Sequence, residues 1–318
     1  MENSEKREEA GLNRYLSPLN VWALSFGCAV GWGSFVMPGT TFLPAAGPLG
    51  TVLGLIIGVL VMWVIGVNYH FLMNRYPDSG GTLTYSIKAF GYDHGFLSAW
   101  FLLLVYIAII WANATALALI GRNLLGAMFQ FGFHYQVLGY DVYLGEILLT
   151  LAAILIFGVV CMKGKRLAIG VQTFLALFLF LGILFTFLGV FFSGSGDAIS
   201  LSPAFASGNE KPLGQIIVIF ALSPWAFVGF ESVSNSVSGF KFSVKKSLYV
   251  MTAALFTGVL AYIFLTLMAA GVQPNGYRDW SQYIGDIQNI KGVGALPVFH
   301  AVYRNMGPFW VSILALVA

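Results

Sequence analysis

Charge is what this chain has least of. Of its 318 residues, 9% are charged and 58% are hydrophobic, whereas a soluble globular domain carries about 25% charged residues. So little charge cannot coat a water-facing surface of this size, so the chain is read as an integral membrane protein. Cysteine is almost missing. Cys28 and Cys161 are the two, both in or beside apolar runs, which excludes a disulfide framework and a cysteine metal cluster and leaves them as small buried hydrophobes. The four histidines, His70, His94, His134 and His300, are scattered, and no HExxH is present. No metal, no cofactor and no nucleic-acid partner is therefore expected. The start, MENSEKREEAGLNRY, lacks the short apolar stretch beside a small-residue cleavage site and reads as a charged tail, not a signal peptide.

Long apolar runs are abundant. Seven are long enough to cross a bilayer: Leu19–Ala46, Leu49–Leu72, Phe96–Leu119, Tyr143–Cys161, Ala168–Phe192, Leu213–Gly239 and Leu248–Gly271. An eighth starts near Pro308 and stops at Ala318, about half of the roughly twenty residues a span needs, as in a fragment cut inside span 8. The cations fall unevenly about these spans. Lys6, Arg7, Arg14, Arg75, Lys88, Lys163, Lys165, Arg166, Lys241, Lys245 and Lys246 would share one side, and Arg122, Lys211, Arg278, Lys291 and Arg304 the other. The bias puts the N-terminus in the cytoplasm of a multi-pass cell-membrane protein. Between spans 7 and 8, Val272 to Gly307 is long for a loop and spaces Trp280, Tyr283, Ile284, Ile287 and Ile290 for short amphipathic helices, a candidate lid on the outer side.

Two spans are interrupted. Span 1 holds GCAVGWGSFVMPGTTFLPAAGP, with Gly31, Gly33, Pro38 and Gly39. Span 6 holds FALSPWAFVGFESVS, with Pro224 and Gly229. Irregular backbone at membrane depth needs protein or a wet cavity to satisfy it, and paired broken spans point to a transporter's binding site. Freed N–H groups at a half-helix start suit a carboxylate, and freed carbonyls suit a cation. Glu231 lies just past the second break. An acid there costs roughly 2.5–3.5 kcal/mol to insert and so marks function. Its structural alternative is an anchor hydrogen-bonded to the span 1 break. The repeated glycines Gly50, Gly54 and Gly58 in span 2 mark close helix packing.

Together these motifs resemble the amino acid–polyamine–organocation superfamily over nearly the whole chain: GWGSFVMPG (Gly31–Gly39), YPDSGGTLTYSIKAFG (Tyr76–Gly91), Met162 to Lys165 with Val171-Gln172, and SPWAFVGFES (Ser223–Ser232). The resemblance implies an all-α transmembrane bundle of leucine-transporter type, with an inverted five-plus-five repeat in which spans 1 and 6 are partners. Residues 1–17 would then be a cytoplasmic tail, 18–192 the first five-span repeat and 193–318 the start of the second. It also implies that a substrate carboxylate meets N–H groups near Gly31, Trp32, Gly33 and Ser34. The ammonium would meet carbonyls around Trp225, Phe227 and Val228, with Asn113 facing the substrate. Trp225 matches an aromatic gate and Glu231 an acid tied to gating and proton coupling. One departure is that Thr173–Gly182 has no cation where some proton-driven relatives carry a lysine.

The expected function is secondary active transport of amino acids or related amines by alternating access, as proton-coupled symport or as exchange. The bilayer, the small-molecule substrate and protons are the expected partners. The alternative is a transporter-like nutrient sensor without net transport. A seven-span receptor would need the opposite N-terminal orientation. An enzyme would need a base beside Ser195, and the loop sequence SGSGD has no evident one.

Overall fold

The computed structural model describes residues 14–137, 140–192, 200–208 and 210–318. The tail cations Lys6 and Arg7 and the loop residue Ser195 lie outside these ranges. Helix α1 (Pro18–Ala29) opens on a capping box. The Ser17 hydroxyl accepts from the Asn20 N–H, the Asn20 side chain accepts from the Ser17 N–H, and Pro18 fills the first position, where no donor is needed. The chain leaves helical geometry at Val30 and Gly31 and resumes as α2 (Trp32–Met37). A π-helical turn, Pro38–Phe42, leads straight into α3 (Leu43–Arg75). Within α3 the backbone bends at Gly47, with φ 63° just before Pro48, and this bend separates span 1 from span 2.

After α3 come a short helix, α4 (Gly81–Phe90), and the long α5 (Tyr92–Leu124). Strands β1 (His134–Val137) and β2 (Tyr140–Tyr143) pair antiparallel, with His134 opposite Tyr143. Then follow α6 (Leu144–Met162), α7 (Lys165–Phe192), α8 (Pro212–Ala226), a 3₁₀ segment (Phe230–Gly239) and α9 (Ser247–Gly271). The last elements are α10 (Trp280–Gly285), α11 (Pro297–Met306) and α12 (Pro308–Val317).

Among the described residues six helical stretches are long and apolar enough to cross a membrane, where the sequence predicts seven complete spans. The difference lies in span 1. Its first half, α1, has only 12 residues, and its second half runs on into span 2 as Trp32–Arg75. The small hairpin is an addition to the expected all-helical fold, as are helices α4 and α11. The expected short helix around Trp280, Tyr283 and Ile284 is α10, with all three side chains buried.

Contacts between spans fix their relative directions. Gly54 lies against Ile219, Gly58 against Ser223 and Gly66 against Phe230, so the numbers rise together and span 2 runs parallel to span 6. Trp63 bonds Thr252 and His70 bonds Ser247, so span 2 runs antiparallel to span 7. Trp22 bonds Thr257, and Tyr262 bonds the Ala29 carbonyl, so span 1 runs parallel to span 7. Spans an even number apart are parallel and spans an odd number apart are antiparallel, as chain crossings require.

The core sits where α1, α3, α8 and α9 meet. Span 7 is its most enclosed member, burying Met251, Ala254, Leu255, Gly258, Tyr262 and Leu265. By contrast α5 and α6 turn Phe101, Ile110, Trp111, Leu155 and Ile156 outward, as lipid-facing helices do. The basic loops gather at one end of the bundle. There the Tyr15 and Leu16 N–H groups reach the Gly239 carbonyl, Lys165 sits 5.8 Å over the Tyr15 ring, and Ser79 bonds Ser238.

Candidate functional site

The two breaks lie against each other in the middle of the bundle. In span 6, Pro224 cannot extend a regular ladder, and α8 ends at Ala226. Gly229 then turns left-handed, at φ 102°, and the 3₁₀ segment starts at Phe230. A methyl group on Gly229 would fall 2.8 Å from Cys28 Cβ and 2.9 Å from the Cys28 carbonyl oxygen, so only glycine lets the two backbones touch. Ser25 Oγ donates to the Phe230 carbonyl at 3.3 Å, and Ser232 Oγ donates to Cys28 Sγ at 3.6 Å. Cys28 and Cys161 are both exposed, which corrects the expectation of buried thiols.

The span 1 residues divide their roles. The Ser34 N–H and hydroxyl both donate to the Gly31 carbonyl, at 2.9 and 2.7 Å, so Ser34 folds the turn and is already bonded. Trp32 and Gly33 are the first residues of α2, where N–H groups have no acceptor in their own helix, and the space beside Gly33 is open. The Trp32 ring is buried, stacked on Phe35 at 6.4 Å and tilted against Phe299 of α11 at 5.8 Å. Asn113 comes from the middle of α5. Its amide donates to the Ile109 carbonyl, and a methyl on Gly31 would lie 3.3 Å from its Oδ1. Asn113 and the span 1 break are thus neighbours.

Span 6 contributes three side chains in three settings. Trp225 is 65% exposed, and among the described residues it has no ring partner. Phe227 is fully buried, 6.2 Å from the Tyr262 ring, so only its backbone could meet a ligand. Val228 is partly buried, and its N–H donates to the Trp225 carbonyl at 3.3 Å.

Glu231 is half-buried and bridges two spans. Oε2 accepts the Gly229 N–H at 2.9 Å, and Oε1 accepts the Tyr106 hydroxyl at 3.3 Å. Asn235 Nδ2 donates to the same Tyr106 oxygen at 3.3 Å. The acid therefore closes its own break in span 6 rather than the break in span 1, and ties it to span 3. Tyr106 and Asn235 are missing from the sequence-based site. Tyr106 precedes Asn113 by seven positions, a spacing that returns to the same face of an α-helix, whereas Asn235, four positions after Glu231 in a 3₁₀ segment, carries no such signal.

A separate cavity of about 240 Å³, lined by residues that include Tyr15, Asn20, Cys161, Lys165, Gln172 and Ser236, opens at the basic end, between α1 and α7. Among the described residues no three His, Cys, Asp or Glu side chains cluster as a metal site.

Comparison with known proteins bears on this geometry. A family model described as "Amino acid permease" matches residues 16–318. The chain is 25% identical to the Methylthioribose transporter of Bacillus subtilis (strain 168) over 274 residues, covering 85% of this chain and 58% of that protein. It is 29% identical to Amino-acid permease RocC of the same organism over 114 residues, covering 36% of this chain and 23% of that one. The chain thus spans little more than half the length of the first relative, and its match to the second covers under a quarter of that protein.

Proposed function

The chain belongs to the amino acid permease family, and on that premise we propose that its protein is a secondary active transporter of amino acids or related amines, working by alternating access. The observation that carries this reading is the contact between the two helix breaks, Gly229 on Cys28, with Glu231 bridging from the second break to span 3. A transporter must bind a small polar solute at mid-membrane, and broken helices supply backbone donors and acceptors there. The substrate carboxylate sits at the Trp32 and Gly33 N–H groups, and the ammonium at the carbonyls around Trp225, Phe227 and Val228. Asn113, beside Gly31, selects among side chains. Trp225 closes over the substrate, and the outer segment follows, with Phe299 already on Trp32. Residues 18–192 form the first of two inverted repeats, the basic end faces the cytoplasm, and the membrane is the cell membrane.

Glu231 couples transport to protons, by symport or through exchange. The Tyr106 hydroxyl and the Gly229 N–H both donate to its carboxylate, and a state that parts span 3 from span 6 removes one of these donors. The test is uptake by the full-length protein in liposomes, using each of the twenty amino acids, simple amines and methylthioribose. We expect amines and amino acids to be accumulated under a pH gradient and Glu231→Gln to lose that accumulation. Accumulation of methylthioribose alone would overturn the proposed substrate class. A Glu231→Gln variant still fully driven by the gradient would overturn the coupling role.

A further inference from the structure

Between Glu231 and the basic end of the bundle runs a file of polar side chains that packing alone does not require. In a 3₁₀ helix residues three apart stack on one face, so Ser234 lies one turn below Glu231. Helix α4 lies along this face. A methyl on Gly81 would overlap Asn235 Oδ1 and lie 2.8 Å from Ser234 Oγ. Tyr69 OH and Thr82 Oγ1 are 3.2 Å apart on the flank. At the surface Asp78 accepts from the Gly80 N–H at 2.8 Å and from Thr84 Oγ1 at 2.7 Å.

Two members of the file stand out. The Tyr85 hydroxyl and Ser234 Oγ are buried without a hydrogen-bond partner among the described residues, in side chains 6% and 1% exposed. Buried hydroxyls are rarely left so, and adjacent unpaired ones fit a bridging water with polar groups on each side. Burial, with the charge of Asp78 and the nearby Tyr69, pushes the Tyr85 phenol up to about 12, against the pull of the Ser234 hydroxyl close beside it. Tyr85 therefore stays neutral and can both give and take a hydrogen bond at any physiological pH. The titratable groups facing the file are Glu231, Cys28, Tyr106, Tyr69 and Asp78.

We propose that Ser234 and Tyr85, joined by water, form the path along which protons pass between Glu231 and Asp78 at the surface. This rests on the reading of Glu231 as the coupling acid. Protonated Glu231 gives its proton to the adjoining water, which passes one of its own to Ser234 Oγ. That hydroxyl releases its original proton to the next water, Tyr85 repeats the exchange, and the Asp78 carboxylate takes the last. One O–H bond forms for each that breaks, and a single positive charge crosses the file. Tyr106 and Asn235 are positioning residues. The amide holds the phenol oxygen so that its proton points at Glu231.

The experiment uses the full-length protein in liposomes with a ¹⁴C-labelled mixture of the twenty amino acids. It compares accumulation driven by a pH gradient with counterflow exchange, which needs no net proton movement. Tyr85→Phe and Ser234→Ala should each slow gradient-driven accumulation about a hundredfold, the lower end for a lost proton-transfer group, while counterflow stays within about twofold. Counterflow also reports that the variants fold. If both variants accumulate like wild type while Glu231→Gln does not, the path is wrong and the coupling acid stands. If Glu231→Gln accumulates like wild type, or wild type responds to no gradient, the coupling reading falls and the path with it. A matching loss of counterflow would show that the hydroxyls serve the transport cycle itself, which also overturns the path.

Discussion

Gly229 shows how much one residue can carry. Its φ of 102° and its contact with Cys28 both forbid a side chain. Left-handed geometry costs other residues about 1–3 kcal/mol, and here a methyl would also push the two breaks apart. Gly229→Ala should therefore lower the melting temperature of the purified protein and abolish substrate binding, read by thermal shift and by scintillation proximity. Unchanged binding would detach the break from the site. Glu231 illustrates what a sequence discloses at this scale. Its cost in an apolar run is visible, and so is its nearness to Gly229, two residues away. Its bond to Tyr106 crosses 125 residues of chain, and tyrosine in an apolar run looks like any other aromatic filler. The burial of Phe227 was equally hidden, since a residue beside a break gives no sign of which side its ring will take.

Among the elements, the hairpin between spans 3 and 4 was the least legible. HYQV and YDVY are short and lie between two strong apolar signals. What fixes the hairpin is an ion pair. Arg122 reaches Glu146 with two nitrogens, at 2.9 and 2.7 Å, and the Asp141 carbonyl at 2.5 Å, while the Tyr143 N–H closes on the same carboxylate at 3.1 Å. Glu146 is 2% exposed. Removing the arginine leaves a buried charge alone, which costs about 3–5 kcal/mol. Arg122→Ala should destabilise the protein by that order, measured by denaturant or thermal unfolding in detergent, and Arg122→Lys, with one donor direction, by less. The segment between spans 7 and 8 makes a prediction in pH. His300 on α11 is buried beside Tyr283, its Nε2 without a hydrogen-bond partner among the described residues. Burial lowers its pKa below 6.5, against the pull of the Gln273 backbone and with help from Arg304. The unfolded chain takes up that proton first, so stability is full above 6.5 and is lost as pH falls from there through the folded value. Asp286, held below 3.8 by Asn289 and Tyr277, keeps its charge over this range and adds no slope. Melting temperature should fall between about pH 7 and pH 5, and His300→Gln should flatten that fall; an equal slope in the variant would assign it elsewhere.

For the whole molecule, the order of the spans was legible because bilayer thickness sets run length, but not their number, since six stretches among the described residues reach that length where seven were expected. The halving of span 1 was also legible, from glycine and proline, but not the way its second half fuses with span 2. That fusion depends on a bend at Gly47, covered by the backbone of Phe205 and Ala206, a contact no local pattern encodes. The glycine seam between spans 2 and 6 was read correctly as packing, and it constrains motion. Where Gly54 and Gly58 meet Ile219 and Ser223 there is no room for one helix to slide on the other, because close-packed surfaces move in steps rather than by creep. Spin labels at Leu60 and Ile217, both exposed, should keep their separation within about 2 Å when substrate is added, well under the roughly 5.4 Å of a one-turn slip. A larger change would disprove it. If the distance holds, this pair of spans is a ruler fixed to one moving part, and every other displacement in the protein can be measured from it.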